Sequence, residues 1–187
     1  MQVTKRFLAA CAAILVAQAA LLRLFGQPWI CTCGYTKLWE GDVTSSGLSQ
    51  HLFDWYSFSH VIHGVLFYFA LRYLFPRMSV WARLLIALSL ESAWEVLENT
   101  PMVIEHYRQQ ALAHGYVGDS VLNSLSDTFC MIAGFVFASW ARTALSVALV
   151  LALEILTILM IRDSLALNIL NLIHVFPAIA AWQSGAL

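Results

Sequence analysis

TALSVALVLALEILTILMI, residues 143–161, decides the fold class of this chain. Glu154 is the one ionisable residue in this stretch, which is long enough to cross the hydrocarbon core of a bilayer as a helix of about 20 residues. Hydrophobic residues make up 60% of the whole chain and charged residues only 11%. That composition lies outside the range of soluble domains of this length. The sequence therefore predicts an all-α integral membrane protein.

The rest of the chain repeats this pattern and predicts a polytopic helical bundle of about six transmembrane helices, in a single domain that fills residues 1–187. The predicted crossings are Phe7–Phe25, Trp55–Leu74, Val80–Asn99, Asp119–Trp140, Thr143–Ile161 and Leu165–Trp182. Polar loops of about residues 26–54 and 100–118 separate them. In the first crossing, Lys5-Arg6, an apolar run and Ala17-Gln18-Ala19 also resemble a cleavable signal peptide.

Basic residues are distributed unevenly between the two ends of the predicted helices. Six lie at one end and four at the other, namely Lys5, Arg6, Arg72, Arg77, Arg83 and Arg142 against Arg23, Lys37, Arg108 and Arg162. Because cytoplasmic loops carry the excess of Lys and Arg, both termini are predicted to be cytoplasmic and both long loops to lie outside. The basic residues form no run and the formal charge is -1, so nucleic-acid binding is excluded.

Ionisable side chains lie inside crossings that are otherwise apolar. They are His60, His63, Glu91, Glu95, Glu98, Asp127 and Glu154. A charged residue near the bilayer centre costs about 2.5–3.5 kcal/mol on insertion scales, so we expect these groups to face one another. Glu91, Glu95 and Glu98 share one helix face by their spacing. The pattern predicts one outward-opening polar pocket between the second, third and fourth crossings.

The residue types in this pocket predict a divalent metal site, because imidazole and carboxylate suit Zn, Mn or Fe. His60 and His63 lie three residues apart on one helical face and are predicted to bind the metal with Glu95 and Asp127. Glu91 or Glu98 is then expected to orient a ligand or to act as a general base. Other polar residues are expected to support the pocket, namely Asp54, Asn99, Asp119, Asn123, Glu154, Asn168 and Asn171.

Two features of the outer loops complete the predictions. Thr100-Pro101 followed by apolar residues predicts a short helix with Pro near its start, lying over the polar pocket as a lid. Cys31 and Cys33 lie where oxidation is permitted, but a single residue between them would strain a mutual disulfide. Free or intermolecular thiols are therefore expected.

Three functions remain open at this point. The first is a metal-dependent or acid–base hydrolase or transferase that acts on a lipid or lipid-linked substrate at the outer leaflet. The second is a proton- or ion-coupled transporter of a small solute, and the third is a non-catalytic membrane assembly protein whose polar groups clip the helices together. The inner halves of the helices carry few polar groups, which favours a closed pocket over a transport path. Interhelical polar contacts average only about 0.6 kcal/mol each. Holding the helices together is therefore a poor explanation for so many carboxyl groups.

Five motifs carry a resemblance to a known family. They are WICTCGYTKLW at 29–39, SQHLFDWYSFSHVIHG at 49–64, ESAWEVLENTP at 91–101, GDSVLNSLSDT at 118–128 and MIRDSLALN at 160–168. With them the chain resembles the bacterial UPF0314 family, also called DUF2585, over nearly its full length. The order of the motifs is also faintly similar to VanZ-like and YjdF-like membrane proteins. The resemblance implies a small multi-pass protein of the bacterial inner membrane and assigns no chemical role to any residue.

Overall fold

The computed structural model describes residues 5–110, 112 and 115–185, and these are mostly helical, as predicted. The helices are α1 Lys5–Leu24, α2 Ser57–Leu74, α3 Val80–Glu98, α4 Pro101–Tyr107, α5 Val121–Trp140, α6 Thr143–Ile161, α7 Leu165–Ile173 and α8 Pro177–Gln183. Two strands of two residues each, β1 Trp39–Glu40 and β2 Phe53–Asp54, pair in parallel in the first loop.

Three of the helices, α1, α5 and α6, are long and apolar enough to cross a membrane. Helices α2 and α3 have similar lengths, 18 and 19 residues, and carry most of the titratable residues singled out by the sequence. The apolar surface of α6 remains largely exposed, since only Ser146, Thr157 and Ile161 of that helix are buried. An exposed apolar helix of this length fits lipid contact.

The centre of the fold is the packing of α2 against α5. Two glycines make it close, because a Cβ atom at Gly64 would overlap the backbone of Met131, and a Cβ atom at Gly134 would overlap the carbonyl of Val61. Small residues at helix contacts are the usual means by which membrane helices bring their backbones together. This contact holds His60 of α2 next to Asp127 of α5.

A second contact joins α1, α3 and α5 through the side chain of Gln18. Its amide nitrogen donates to the Ser124 and Thr128 hydroxyls at 2.8 and 2.9 Å. Its carbonyl oxygen accepts from the Ser92 hydroxyl at 2.9 Å and from the Thr128 hydroxyl at 3.1 Å. We call these four residues the Gln18 clip. The sequence analysis did not single out Gln18, which is 1% exposed.

The prediction of one continuous sixth crossing, Leu165–Trp182, was wrong. Helix α7 ends at Ile173, His174 is extended, and α8 begins at Pro177. Proline lacks the backbone N–H that would continue the helix and disfavours helical geometry in the residue before it. The segment therefore consists of two short helices.

The two long loops hold one confirmed prediction and one correction. The short helix begins at Pro101, as the Thr100-Pro101 signal predicted. Cys31 and Cys33, expected as free or intermolecular thiols, are joined to each other in a disulfide. The first loop is joined to the start of α5 by backbone bonds such as that from Ser120 N to Ser49 O at 2.9 Å, and to the second loop by the Gln50 amide, which donates to the Gly118 carbonyl. The loops thus form an ordered cap at the start of α5.

Candidate metal centre and cavity

Two histidines of α2 meet one carboxylate of α3. His60 Nδ1 lies 2.6 Å from Glu91 Oε1, and His63 Nδ1 lies 3.2 Å from Glu91 Oε2. The spacing of three puts both rings on one face of α2, and Glu91 is completely buried beneath them. A Glu91 carboxylate accepting from both rings would satisfy one nitrogen of each histidine.

Two further carboxyl groups surround His60. Glu95 Oε1 lies 3.2 Å from His60 Nδ1, and Asp127 Oδ2 lies 3.9 Å from His60 Nε2. Asp127 also accepts a hydrogen bond of 2.6 Å from Ser57. Of the four predicted ligands, the structure thus brings Glu95 and Asp127 to His60, whereas His63 is paired with Glu91, a residue predicted to move protons. We call His60, His63, Glu91, Glu95 and Asp127 the His60 cluster.

The donor set fits a divalent metal. His60, His63 and Glu91 each offer one ligand atom, and these atoms lie within 4.8 Å of one another. Donors that share a tetrahedral ion at about 2.0–2.2 Å are roughly 3.4 Å apart. Both carboxyl oxygens of Glu95 are buried and have no hydrogen-bond partner among the residues that the structure describes. An unpartnered buried carboxyl beside such a set is a reason to expect a cation.

His60, Glu95 and Glu98 form a second group whose ligand atoms also lie within 4.8 Å of one another. His60 is therefore common to two candidate donor sets along the same face of α3. A third group in the described part of the chain, Cys31, Cys33 and His51, lies in the first loop. Its two thiols are consumed by the disulfide, so the candidate centre is the one at His60.

A cavity of about 520 Å³ opens onto the His60 cluster. His60, His63 and Asp127 line one part of it. Much of the remaining wall is apolar and comes from α2, α3 and α7, with Leu66, Phe67, Leu90, Trp94, Ile169 and Leu172. A volume of this size suits a small-molecule ligand, and its walls suit an apolar chain.

A pair of carboxyl groups lies at the end of the cavity next to the second loop. Glu98 and Asp119 both line it. Asp119 also accepts from the Asn99 amide at 2.6 Å and from the Tyr116 hydroxyl at 3.0 Å. Burial raises the pKa of Asp119. Asn99, predicted to support the pocket, thus holds one of the two carboxyl groups in place.

Sequence reasoning missed a second polar group of the cavity, Asp163. It accepts hydrogen bonds from Tyr56 at 3.0 Å and from Asn168 and Gln183 at 3.1 Å each. Burial raises the pKa of Asp163 to about 6. The Arg162-Asp163 pair was interpreted only as a break between crossings. The one signal in the sequence for a buried Asp163 is the position of this acidic residue at the end of an apolar run.

The other predicted support residues lie in different surroundings. Glu154 does not line the cavity but accepts from the backbone N–H groups of Leu165 and Ala166, at 3.0 and 3.3 Å, and so caps the start of α7. Asn171 also lies outside the cavity lining, and its carbonyl accepts from His106. Asn123 is completely buried in α5, and neither atom of its amide has a hydrogen-bond partner among the described residues.

Asp54 ends β2 and lies under the first loop rather than in the cavity. Its carboxylate accepts from the backbone N–H groups of Ser49 and Tyr56, at 3.0 and 2.8 Å. Burial raises the pKa of Asp54 to about 6. Asp54, predicted to support the pocket, thus lies outside the cavity lining and anchors the chain at the entry to α2.

These features define a class of protein, a mostly helical molecule with helices suited to a membrane and a buried histidine–carboxylate cluster under a largely apolar cavity. The model of the family described as "Protein of unknown function (DUF2585)" matches residues 22–185. A UPF0314 protein of Rhizobium meliloti is 52% identical over 96% of this chain and 91% of its own length. The chain belongs to the UPF0314 (DUF2585) family.

Two other relatives support the same family assignment. A UPF0314 protein of Sphingopyxis alaskensis is 49% identical over 93% of both chains, and one of Rhizobium etli is 53% identical over 94% of this chain and 90% of its own. No solved structure matches the chain.

Proposed function

We propose that this protein is a metal-dependent hydrolase or transferase that acts on a lipid or lipid-linked substrate at the outer leaflet of the bacterial inner membrane. One observation carries the proposal. Three donor atoms, from His60, His63 and Glu91, lie within 4.8 Å of one another at a cavity with largely apolar walls. Catalytic zinc sites use three protein ligands and leave a position open.

The membrane arrangement that we propose has about six crossings in a single domain, with both termini cytoplasmic. Helices α1, α2, α3, α5 and α6 each cross once, and the broken pair α7 and α8 completes the sixth. Three of these helices meet the length and apolarity of a span. The basic residues near the inner ends, among them Arg72 and Arg142, support the orientation.

His60, His63 and Glu91 would hold the metal ion, which supplies polarisation of the scissile carbonyl or phosphoryl group. Glu98 lines the cavity and shares a donor group with His60 and Glu95. In this proposal Glu98 accepts the proton of the attacking water or acceptor hydroxyl group and returns it to the leaving oxygen when the bond to the carbonyl or phosphoryl group breaks. Glu95 adjusts the charge beside His60, because its buried carboxyl group lies 3.2 Å from that ring.

The first test is the metal content of the full chain, purified in a neutral maltoside detergent. Elemental analysis should find close to one Zn, Mn or Fe per chain, and His60→Ala and His63→Ala should each retain less than roughly a tenth of it, since each removes a ligand. His174→Ala is the matched control, because His174 is exposed and does not line the cavity. Wild-type protein that is folded and free of metal after metal-supplemented expression contradicts the metal assignment.

The second test is turnover. The metal-loaded protein is incubated with vesicles of a bacterial total-lipid extract, and the lipids are compared by mass spectrometry before and after. The proposal predicts that one lipid is consumed by the wild type and not by folded His60→Ala or Glu98→Gln protein. If no lipid changes while proteoliposomes show a proton flux that Glu95→Gln abolishes, a transporter replaces the enzyme. If the variants only lose abundance, the groups are structural.

A further inference from the structure

The disulfide of the first loop joins one buried cysteine to one exposed cysteine. Cys31 is 5% exposed, whereas Cys33, two residues later, is exposed. A thiolate from another molecule therefore has access to Cys33 and not to Cys31. Because exchange begins when a thiolate attacks one sulfur of a disulfide, attack at Cys33 makes Cys31 the leaving group.

The loop already holds a hydrogen-bond partner for each sulfur that such an attack releases. The backbone N–H of Cys33 donates to Cys31 Sγ at 3.2 Å, and a bond of this kind strengthens when its acceptor becomes an anion. Cys33 Sγ lies 3.4 Å from the carbonyl oxygen of Tyr35, to which a thiol at this position can donate. Stabilisation of the reduced form makes a disulfide a stronger oxidant.

These partners are held in place by residues outside the pair. The ring of Tyr35 stacks on the ring of His51, with the two centroids 5.6 Å apart. His51 is 2% exposed, and its Nδ1 accepts from the backbone N–H of Lys37 at 3.2 Å. The surroundings of the two sulfurs are thus fixed by contacts that do not depend on the disulfide bond.

The chain on both sides of the disulfide carries exposed apolar side chains. Four large hydrophobic residues that flank the pair are exposed, namely Trp29, Ile30, Tyr35 and Leu38. Exposed apolar surface of this kind marks a place where another molecule binds. A polypeptide that has not yet folded offers both apolar side chains and free thiols, so it fits the apolar surface and the disulfide together.

From these observations we infer a second activity, the transfer of the Cys31–Cys33 disulfide to two thiols of an unfolded polypeptide. One thiolate of the polypeptide attacks Cys33 Sγ, the bond between Cys31 and Cys33 breaks, and Cys31 leaves as a thiolate. The second thiolate of the polypeptide then attacks the polypeptide sulfur of the mixed disulfide, and Cys33 leaves. The polypeptide is oxidised to a disulfide, the pair is reduced, and the two thiol protons pass to Cys31 and Cys33.

The reduced pair returns to the disulfide by the reverse exchange with a second disulfide compound, for which oxidised glutathione is the probe. This activity goes beyond the proposed hydrolase or transferase and uses none of the residues of the His60 cluster.

The test uses the full chain in maltoside micelles, carrying Cys11→Ser and Cys130→Ser to remove its two free cysteines. The substrate is an unstructured peptide with two cysteines and apolar residues beside them, in oxygen-free buffer with a chelator. Acid quenching, alkylation and mass spectrometry measure how fast the peptide gains its disulfide. The protein should oxidise the peptide roughly tenfold faster than oxidised glutathione at the same concentration, because Cys31 leaves as a stabilised thiolate.

Two further variants test the direction of attack. With Cys31→Ser, the exposed Cys33 thiol should form a mixed disulfide with oxidised glutathione, and with Cys33→Ser the buried Cys31 thiol should do so roughly tenfold more slowly. The matched control is the protein with all four of its cysteines, which should oxidise the peptide at the same rate as the protein that lacks Cys11 and Cys130. A second peptide, with serine in place of the apolar residues, should be oxidised about threefold more slowly.

Peptide oxidation no faster than that by oxidised glutathione, faster reaction at Cys31 than at Cys33, or equal rates for the two peptides would overturn the inference. If either serine variant of the pair does not fold, the two peptide rates decide it, since they are measured with Cys31 and Cys33 intact. The result is independent of the metal tests. A protein that binds no metal can still oxidise the peptide, and a metalloprotein can fail to do so.

Discussion

Two buried polar regions share α3 and α5 and differ in how completely their groups are bonded. In the Gln18 clip, the amide of Gln18 is bonded at both ends, to hydroxyls of Ser92, Ser124 and Thr128. In the neighbouring His60 cluster, both oxygens of Glu95 have no hydrogen-bond partner among the described residues. Both polar atoms of the Asn123 side chain, next to Ser124 in sequence, likewise have no hydrogen-bond partner among the described residues.

The difference teaches how to separate a structural polar group from a functional one in this fold. A buried polar group without a partner costs about 1–3 kcal/mol, whereas a satisfied one makes a small net contribution to stability. The clip therefore serves the folded state by itself. In the His60 cluster, by contrast, we expect a bound cation to add stability, because the buried Glu95 carboxyl accepts no hydrogen bond from the described residues.

The sharpest way to break this comparison uses two adjacent residues of α3, Glu91 in the cluster and Ser92 in the clip. Glu91→Gln should lower the affinity for Zn²⁺ by roughly tenfold to a hundredfold or more, because it removes a negative ligand. Ser92→Ala should leave the affinity within about twofold, since it loses only one interhelical hydrogen bond. Metal titration with a competing chelator measures both. Equal effects would mean that the two regions act as one network.

Removing the centre of the clip should have the next largest effect, on stability. Gln18→Leu should lower the free energy of unfolding by about 1–2 kcal/mol, because it leaves the hydroxyls of three residues on α3 and α5 without their partner. Reversible unfolding by an ionic detergent in mixed micelles measures this change. Zinc affinity should stay at the wild-type value. A variant of normal stability that has lost metal would contradict the division into two regions.

Replacing Asn123 should raise the free energy of unfolding instead of lowering it. Asn123→Leu replaces an unpartnered buried amide by an apolar group of similar size and should raise the stability of the metal-free protein by about 1 kcal/mol. Asn168→Leu is the control, because the Asn168 amide donates to Asp163 at 3.1 Å and its removal should destabilise. The same unfolding titration compares them. Loss of stability in Asn123→Leu would indicate that Asn123 already has a partner, such as an ordered water.

The smallest effect is expected in the first loop, where Glu40 is also fully partnered. A hydrogen bond of 2.7 Å from Lys37 holds the pKa of Glu40 below its usual range. A depressed carboxyl pKa stabilises the fold above the unfolded pKa, and this contribution is lost as the pH falls through the folded value. Glu40→Gln should therefore speed amide exchange in residues 40–42 slightly at pH 7 and have no effect well below pH 4. Hydrogen exchange of both proteins at each pH checks the sign.

Helix positions could be predicted from the sequence where charges bound an apolar run. Helix α6 has the predicted limits, Thr143 and Ile161, because Arg142 and Arg162 end the run on either side. The sixth crossing was wrong because Pro177 lies inside a largely apolar segment, and hydropathy takes no account of the backbone N–H that proline lacks. The short helix at Pro101 was predicted because there the proline stands at a helix start, where it is tolerated.

The cluster could be predicted as a set but not as a pattern of partners. Helical spacing places Glu91 and Glu95 on one face, yet it does not tell which of the two lies opposite His63. That depends on how far α3 is shifted along its axis relative to α2, which is set by tertiary packing and not by the spacing within one helix. Gln18 escaped prediction for a related reason, since a single amide in an apolar helix gives no periodic signal. Asp163 escaped because its partners come from α7, α8 and the start of α2.

The missing side chains at Gly64 and Gly134 determine which parts of the molecule can move. With backbone against backbone, α2 and α5 cannot slide or rotate without collision, so they behave as one rigid wall that keeps His60 and Asp127 in fixed register. The rest of the lining includes residues of the much shorter α4 and α7. We therefore expect any motion that admits a ligand to involve these two short helices rather than the α2–α5 pair.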